Sequence, residues 1–227
     1  MKIKNREELI AKQEEYRASL NSQRKQILIC AGTGCVAGGS IEIYAKMKDI
    51  IEGKGLKCAL VLEKDPHGDS IGLKKSGCHG FCEMGPLLRI EPMGWLYIKV
   101  SLDCEEIIEK SIIGDEVIDR LVYKDQEGNP YVKQEDIPFY KQQTRIALEY
   151  CGHINAESIA EYLALGGYSA VAKALFDMTP QGIVDEITES CLRGRGGGGF
   201  PAGRKWQQVL DQKEEEKYIV CNGDEGD

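Results

Sequence analysis

Two pairs of cysteines, each set in a glycine-softened loop, limit this chain more than any other feature. Cys30 and Cys35 bracket Ala-Gly-Thr-Gly, and Cys78 and Cys82 bracket His-Gly-Phe. Both pairs sit where a short strand gives way to a loop. Two such loops at one sheet edge can bring four thiolates into a small volume, which an iron–sulfur cluster requires. Glycine lets backbone N–H groups approach the sulfides with no Cβ in the way. A thiolate zinc site uses pairs of comparable spacing, so zinc stays open at this point. A thioredoxin-type disulfide needs Cys-x-x-Cys and haem attachment needs Cys-x-x-Cys-His, and neither occurs. The plant-type ferredoxin spacing does not match either. With nine cysteines and three histidines, any metal site must be mostly thiolate.

The 227 residues allow one or two domains. The net charge is −8, with no block of Lys/Arg and no basic, aromatic-rich stripe, which argues against nucleic acid and anionic membranes as partners. No apolar run approaches the roughly 20 residues that span a bilayer. The N-terminus, MKIKNREELIAKQEEYR, has no apolar signal-peptide core. Closely spaced cysteines then indicate metal or redox work in a reducing compartment, and the expected location is cytoplasmic, without membrane insertion.

Along the chain, residues 5–22 read as a polar helix and Gln26–Cys30 as a strand. Ser40 reads as the cap of a helix carrying Ile43, Met47, Ile50 and Ile51 on one face. Cys58–Glu63 reads as the next strand, and Pro66–Asp69 as a turn. Leu87–Glu91 and Trp95–Val100 read as a hairpin around Pro92-Met93-Gly94. Cys104–Ile112 and Glu116–Leu121 read as short helices. This β-α-β, β-β, α order is that of a thioredoxin-like sandwich. The polar stretch around Gly128-Asn129-Pro130 reads as a domain boundary. Beyond it helices dominate: one from the Asp136 cap through Pro138 to Tyr150, one capped by Asn155 and ended by Gly166-Gly167, then two starting at Ser169 and Thr179-Pro180. Tyr218–Cys221 reads as a strand. The expected organisation is an N-terminal helix over 1–24, an α/β domain over 25–125 and a mainly helical domain over 131–227.

The stretches ILICAGTGCVAGGS (Ile27–Ser40) and SGCHGFCEMGP (Ser76–Pro86) resemble the thioredoxin-like [2Fe–2S] ferredoxin domain. That domain occurs in the small subunit of NADH dehydrogenases, and fused to the flavin subunit of NAD-dependent, often electron-bifurcating, hydrogenases and formate dehydrogenases. The resemblance covers about residues 25–123. It implies Cys30, Cys35, Cys78 and Cys82 as cluster ligands; the other five cysteines have no counterpart in the motif, Cys58 reading as a strand core residue, Cys104, Cys151 and Cys191 as helical and structural, and Cys221 as the end of the last strand.

Farther on, Gly194, Gly196 and Gly199 satisfy G-x-G-x-x-G. The preceding segment reads as helix rather than strand, so the dinucleotide fingerprint fails. What remains is a side-chain-free backbone opening a helix, flanked by Arg193, Arg195, Arg204 and Lys205, which suits a phosphate. LRGRGGGGFPAGRKW (Leu192–Trp206) and CNGDEGD (Cys221–Asp227) together resemble the flavin subunit of NADH dehydrogenase and its hydrogenase relatives. IPFYKQQTRIALE (Ile137–Glu149) resembles the fused hydrogenase and formate dehydrogenase form. Carried over, Gly194, Arg195, Gly196 and Lys205 would face FMN phosphate and ribityl, and Phe200 the nicotinamide nucleotide. Asn222, Asp224 and Glu225 would hold the flavin or position the nicotinamide.

The resemblance implies a [2Fe–2S] cluster, FMN and NAD(H), and partner iron–sulfur subunits in a multi-subunit redox complex. No side chain is expected to serve as acid, base or nucleophile. The family's flavin subunit continues for several hundred residues, with a ubiquitin-like domain and a [4Fe–4S] cysteine cluster. The expectation is therefore a C-terminally truncated chain, whose alternative description is a stand-alone [2Fe–2S] electron carrier.

Overall fold

The apolar run Lys25–Cys30 forms strand β1, the centre of a sheet ordered β2-β3-β1-β4-β5. The computed structural model describes residues 2–23, 25–60, 62, 70–218 and 220. Before β1 runs α1 (Arg6–Ser22), opened by the Asn5 side chain accepting from the Glu8 N–H. After it come the short α2 (Thr33–Ala37) and α3 (Ser40–Gly53). β2 (Cys58–Ala59) and β3 (Ile71–Ser76) follow in parallel with β1, while β4 (Leu88–Glu91) and β5 (Trp95–Tyr97) add antiparallel. A parallel pair joined through a helix, extended by an antiparallel hairpin, is the strand order of a thioredoxin-like sandwich.

Strand alternation sends Ile27, Ile29 and Leu73 into one core with Ile43, Met47 and Ile51 of α3 and with Ile107, Ile108 and Ile112 of a wide helical turn, Ile107–Ile113. The opposite face carries Lys74. Its ammonium lies 2.8 Å from Glu161, with both side chains buried. Glu161 sits on α5 (Ile159–Ala164), which follows the short α4 (Pro138–Lys141).

Several sequence-based expectations change. The central partner of β1 is Ile71–Ser76, not Cys58–Glu63; only Cys58–Ala59 is strand there, and 61 and 63–69, including the expected Pro66–Asp69 turn, lie outside the described residues. The cap of α3 is Gly39, at φ +89°, with Ser40 as first helical residue. Residues 116–121 are not helical, with a turn at 119–121. The helix expected from an Asp136 cap to Tyr150 is capped by Ile137 and stops at Lys141, and Ser158, not Asn155, caps α5. The Gly128-Asn129-Pro130 stretch is a hairpin turn joining β6 (Tyr123–Lys124) to β7 (Pro130–Tyr131), closed by Asp125 Oδ1 accepting from the N–H groups of Glu127 and Asn129.

The chain divides into two compact units, residues 1–167 and 168–227, rather than at 125–131. Residues 131–167 belong to the first because Ile137 and Tyr140 are buried with Cys30, Cys35, Leu87 and Leu96. The N-terminal helix belongs there too. Gln13 Nε2 donates to Gly167 O (2.8 Å) and Arg17 Nε to Ala164 O (3.0 Å), satisfying carbonyls left open at the end of α5.

The second unit holds α6 (Ser169–Asp177), α7 (Pro180–Glu189) and α8 (Ala202–Leu210). Thr179 caps α7 by accepting from Gly182 N–H, as its sequence position indicates. Gly203 permits close packing of α8 on α7: a Cβ there would overlap Thr188. Tyr218 and Val220 lie outside any strand, and the rest of the expected strand and acidic turn fall outside the described residues.

Candidate functional site

The register of the parallel pair assembles the cysteine site. Cys30 ends β1 directly opposite Ser76, which ends β3. The two loops therefore leave the same edge side by side, tied where Ala31 N–H donates to Ser76 O (3.0 Å). Each supplies two cysteines. Cys30 and Cys35 are buried, Cys78 and Cys82 exposed, and none of the described cysteines is in a disulfide. The Cys78 and Cys82 sulfurs stand 3.8 Å apart. Cys35 hydrogen-bonds Cys30, and this contact, opposed by burial and aided by the backbone N–H groups of His79 and Gly32 and by the Cys78 thiol, brings the Cys30 thiol down to about 6. Cys35 is driven up correspondingly, first by that shared proton and then by burial. Burial pushes Cys78 up, against the Gly80 N–H that donates to its sulfur at 3.3 Å.

Among the described residues, no three His, Cys, Asp or Glu side chains close around a single ion. The cysteines instead form two close pairs whose members also act on each other across the loops. A two-iron core distributes its four thiolates over two centres, and these residues fit it.

The glycines are spacers between the loops. A Cβ on Gly32 would stand 2.9 Å from Cys78 Cβ, one on Gly34 3.3 Å from Cys82 Cβ, and one on Gly85 2.8 Å from Cys35 Sγ. Gly32→Ala is expected to push the Cys78 loop outward and lower the iron retained by reconstituted protein, measured by iron and acid-labile sulfide content. Full retention would show that the loops do not need this close approach.

Residues 134–151 hold the second cysteine loop from outside, a role sequence reasoning missed. Arg145 Nη2 donates to His79 O (2.6 Å) and its guanidinium lies 5.0 Å from the Tyr140 ring centroid. Phe81, between Cys78 and Cys82, stacks on Phe139 at 4.9 Å and meets Tyr140 edge-on at 5.6 Å. His79 is fully buried, and that burial holds its pKa down to about 3. Arg89 donates to Gln134 Oε1 (2.9 Å), and the His79 ring lies between that oxygen, 3.4 Å from Nδ1, and Ser76 Oγ, 2.9 Å from Nε2. The only sequence signal for this support was the Ile137–Glu149 resemblance.

In the second unit, the glycine run is a closed loop. Gly194 N–H donates to Phe200 O (2.9 Å) and Ala202 N–H to Leu192 O (2.8 Å). Within it, Gly197 and Gly199 adopt φ +86° and +56°, and a Cβ on Gly196 through Gly199 would meet nothing within 4 Å. The bare backbone is thus open to a ligand and leads into the N-terminus of α8, which carries Lys205, while Arg204 lies 5.8 Å from the Phe200 ring centroid. Gly194, Arg195, Gly196, Phe200 and Lys205 therefore share one loop-and-helix element whose open backbone fits a phosphate-bearing cofactor. Asn222, Asp224 and Glu225 lie outside the described residues.

Residues 187–227 match the family model of the Nuo51 FMN-binding domain. Over 87 residues, 38% of this chain and 18% of the relative, the chain is 55% identical to the NADP-reducing hydrogenase subunit HndC of Solidesulfovibrio fructosivorans. Over 70 residues, 31% of this chain and 16% of the relative, it is 50% identical to an NADH-quinone oxidoreductase subunit of Aquifex aeolicus. The chain thus spans under a fifth of the length of these relatives. A solved thioredoxin-like [2Fe–2S] ferredoxin from Aquifex aeolicus aligns with 45% of this chain and 99% of its own, at 25% identity and TM-score 0.35. No helix among the described residues is long and apolar enough to cross a membrane. The matched segment, with the open glycine loop it contains, relates this chain to NADH-quinone oxidoreductase subunits and to pyridine-nucleotide-linked hydrogenase subunits through a Nuo51-type FMN-binding domain.

Proposed function

We propose that the chain is an electron-transferring subunit of an NADH-dependent oxidoreductase of the NADH dehydrogenase, hydrogenase or formate dehydrogenase type. Cys30, Cys35, Cys78 and Cys82 would hold a [2Fe–2S] cluster, and the observation that carries this is the approach of both cysteine pairs at one sheet edge, with glycines spacing the loops. Gly194, Arg195, Gly196 and Lys205 would hold FMN, Phe200 would border the nicotinamide nucleotide, and Asn222, Asp224 and Glu225 would complete that site. FMN held there would supply a hydride acceptor for NADH that can pass electrons on one at a time. The chain's own residues bind, orient and shield these groups; none is assigned as acid, base or nucleophile. Partner iron–sulfur subunits would receive or supply the electrons, in the cytoplasm. A [4Fe–4S] cluster is assigned to no residue of this chain.

A specific observation favours a carrier role for this chain taken alone. The first unit buries Cys30 and Cys35 in a core of its own, whereas Gly196–Gly199 meet no wall within the second unit. Anaerobic reconstitution with iron and sulfide should give a red-brown protein with visible absorption bands, two irons and two labile sulfides. A colourless protein that takes up zinc instead would refute the redox assignment. Titration with FMN separates the two readings: quenched flavin fluorescence supports a flavin site here, and unchanged fluorescence supports the carrier alone.

A further inference from the structure

Tyr140 is buried in the cluster of side chains that contains Cys30 and Cys35, yet its hydroxyl, sealed from solvent, has no hydrogen-bond partner among the described residues. An orphaned buried hydroxyl costs free energy comparable to a lost hydrogen bond, so the fold should offer it an acceptor. The ring is held in place from three sides. Phe81 meets it edge-on at 5.6 Å, Phe139 at 5.2 Å, and the Arg145 guanidinium stands 5.0 Å from its centroid. Arg145 itself is tied to the Cys78 loop through His79 O, so the ring and that loop form one rigid piece.

We propose that the Tyr140 hydroxyl is a hydrogen-bond donor to the iron–sulfur cluster or its cysteine sulfurs, a positioning residue that raises the cluster's reduction potential. This rests on the cluster assignment under Proposed function. Tyr140 packs in the same group of side chains as Cys30 and Cys35, and its ring meets Phe81, which lies between Cys78 and Cys82, so it borders both cysteine loops. The reduced cluster carries one more negative charge than the oxidised one, so a donor aimed at its sulfurs favours reduction. The donor comes from residues 131–167, beyond the stretch that resembles a ferredoxin. The potential is therefore set partly by the segment leading out of the domain.

The test uses the full chain, reconstituted anaerobically with iron and sulfide. Tyr140→Phe should retain its iron while its one-electron reduction equilibrium, followed by electron paramagnetic resonance in a redox titration, falls about tenfold, or about 59 mV. Replacing Tyr140 by 3-fluorotyrosine, a stronger donor of nearly the same shape, should move the potential the opposite way. Tyr131→Phe, whose hydroxyl donates to Asp125 at 3.0 Å, should leave it unchanged. A Tyr140→Phe protein with full iron and an unaltered potential overturns the inference while leaving the cluster assignment intact. Should Tyr140→Phe lose its iron, an unaltered potential in the 3-fluorotyrosine protein overturns it equally. Wild-type protein that takes up no iron removes the cluster assignment and this inference together.

Discussion

Cys78→Ser is expected to lower cluster retention by at least about tenfold, the low end of the loss caused by removing a group that merely supports a metal ligand. Cys78 faces Cys82 at 3.8 Å, accepts from Gly80 N–H and packs against Gly32, so the change to serine breaks one close pair and removes a thiolate from the site. Because Cys78 is exposed, the loss falls on the cluster more than on the hydrophobic core. Cys104→Ser is the matched control. Cys104 is fully buried among Ile107, Ile108 and Val100, and burial raises its thiol pKa, as befits an inert core residue. That variant should lose stability and keep its iron. Visible absorbance with iron quantification reads both, and loss of iron from Cys104→Ser with retention in Cys78→Ser would mean that a different quartet binds the metal.

Lys74→Met is expected to destabilise the first unit by about 3–5 kcal/mol, the usual cost of leaving one member of a buried ion pair uncompensated. Lys74 and Glu161 are both buried, 2.8 Å apart, and Lys74 also donates to Gln26 Oε1 at 3.0 Å. Burial lowers the Lys74 pKa and the Glu161 carboxylate opposes that, while Asn155 N–H donates to the other carboxylate oxygen of Glu161 at 2.9 Å. Replacing both, as Lys74→Met with Glu161→Leu, should recover most of the loss, because no charge is then stranded. Urea unfolding of the three proteins measures this. Equal midpoints for the single and double variants would show that the pair does not act as a unit.

The cysteine site was legible because its determinants are local: four residues in two glycine-bearing loops, each following an extended segment. What the pattern could not show was why the loops meet. That depends on β3, whose IGLKKS sequence hides a central strand. Lys74 and Lys75 break the apolar run, and the partners that make a buried Lys74 tolerable, Glu161 and Gln26, are distant in sequence. The domain boundary was misplaced for a related reason. Gly128-Asn129-Pro130 has the composition of a linker, but Asp125 turns it into a hairpin, and the burial of Ile137 and Tyr140 carries the unit on to Gly167. Tyr140, His79 and Arg145 act through burial and long-range partners, for which no spacing rule exists. In the second unit the glycine loop and Thr179 cap were readable from residue type alone, since backbone freedom and side-chain capping are properties of single residues.

The contacts from Gln13 and Arg17 to the carbonyls of Gly167 and Ala164 hold the helix by which the polypeptide enters the first unit against the point where it leaves, with the helix start at Arg6 about two turns away. A module whose entrance and exit adjoin can be spliced into a surface loop of a host protein without prying the host apart. The same adjacency suits rejoining the ends and opening the chain elsewhere, so rearranged or inserted versions of this unit should still fold as long as both ends of that contact travel with it.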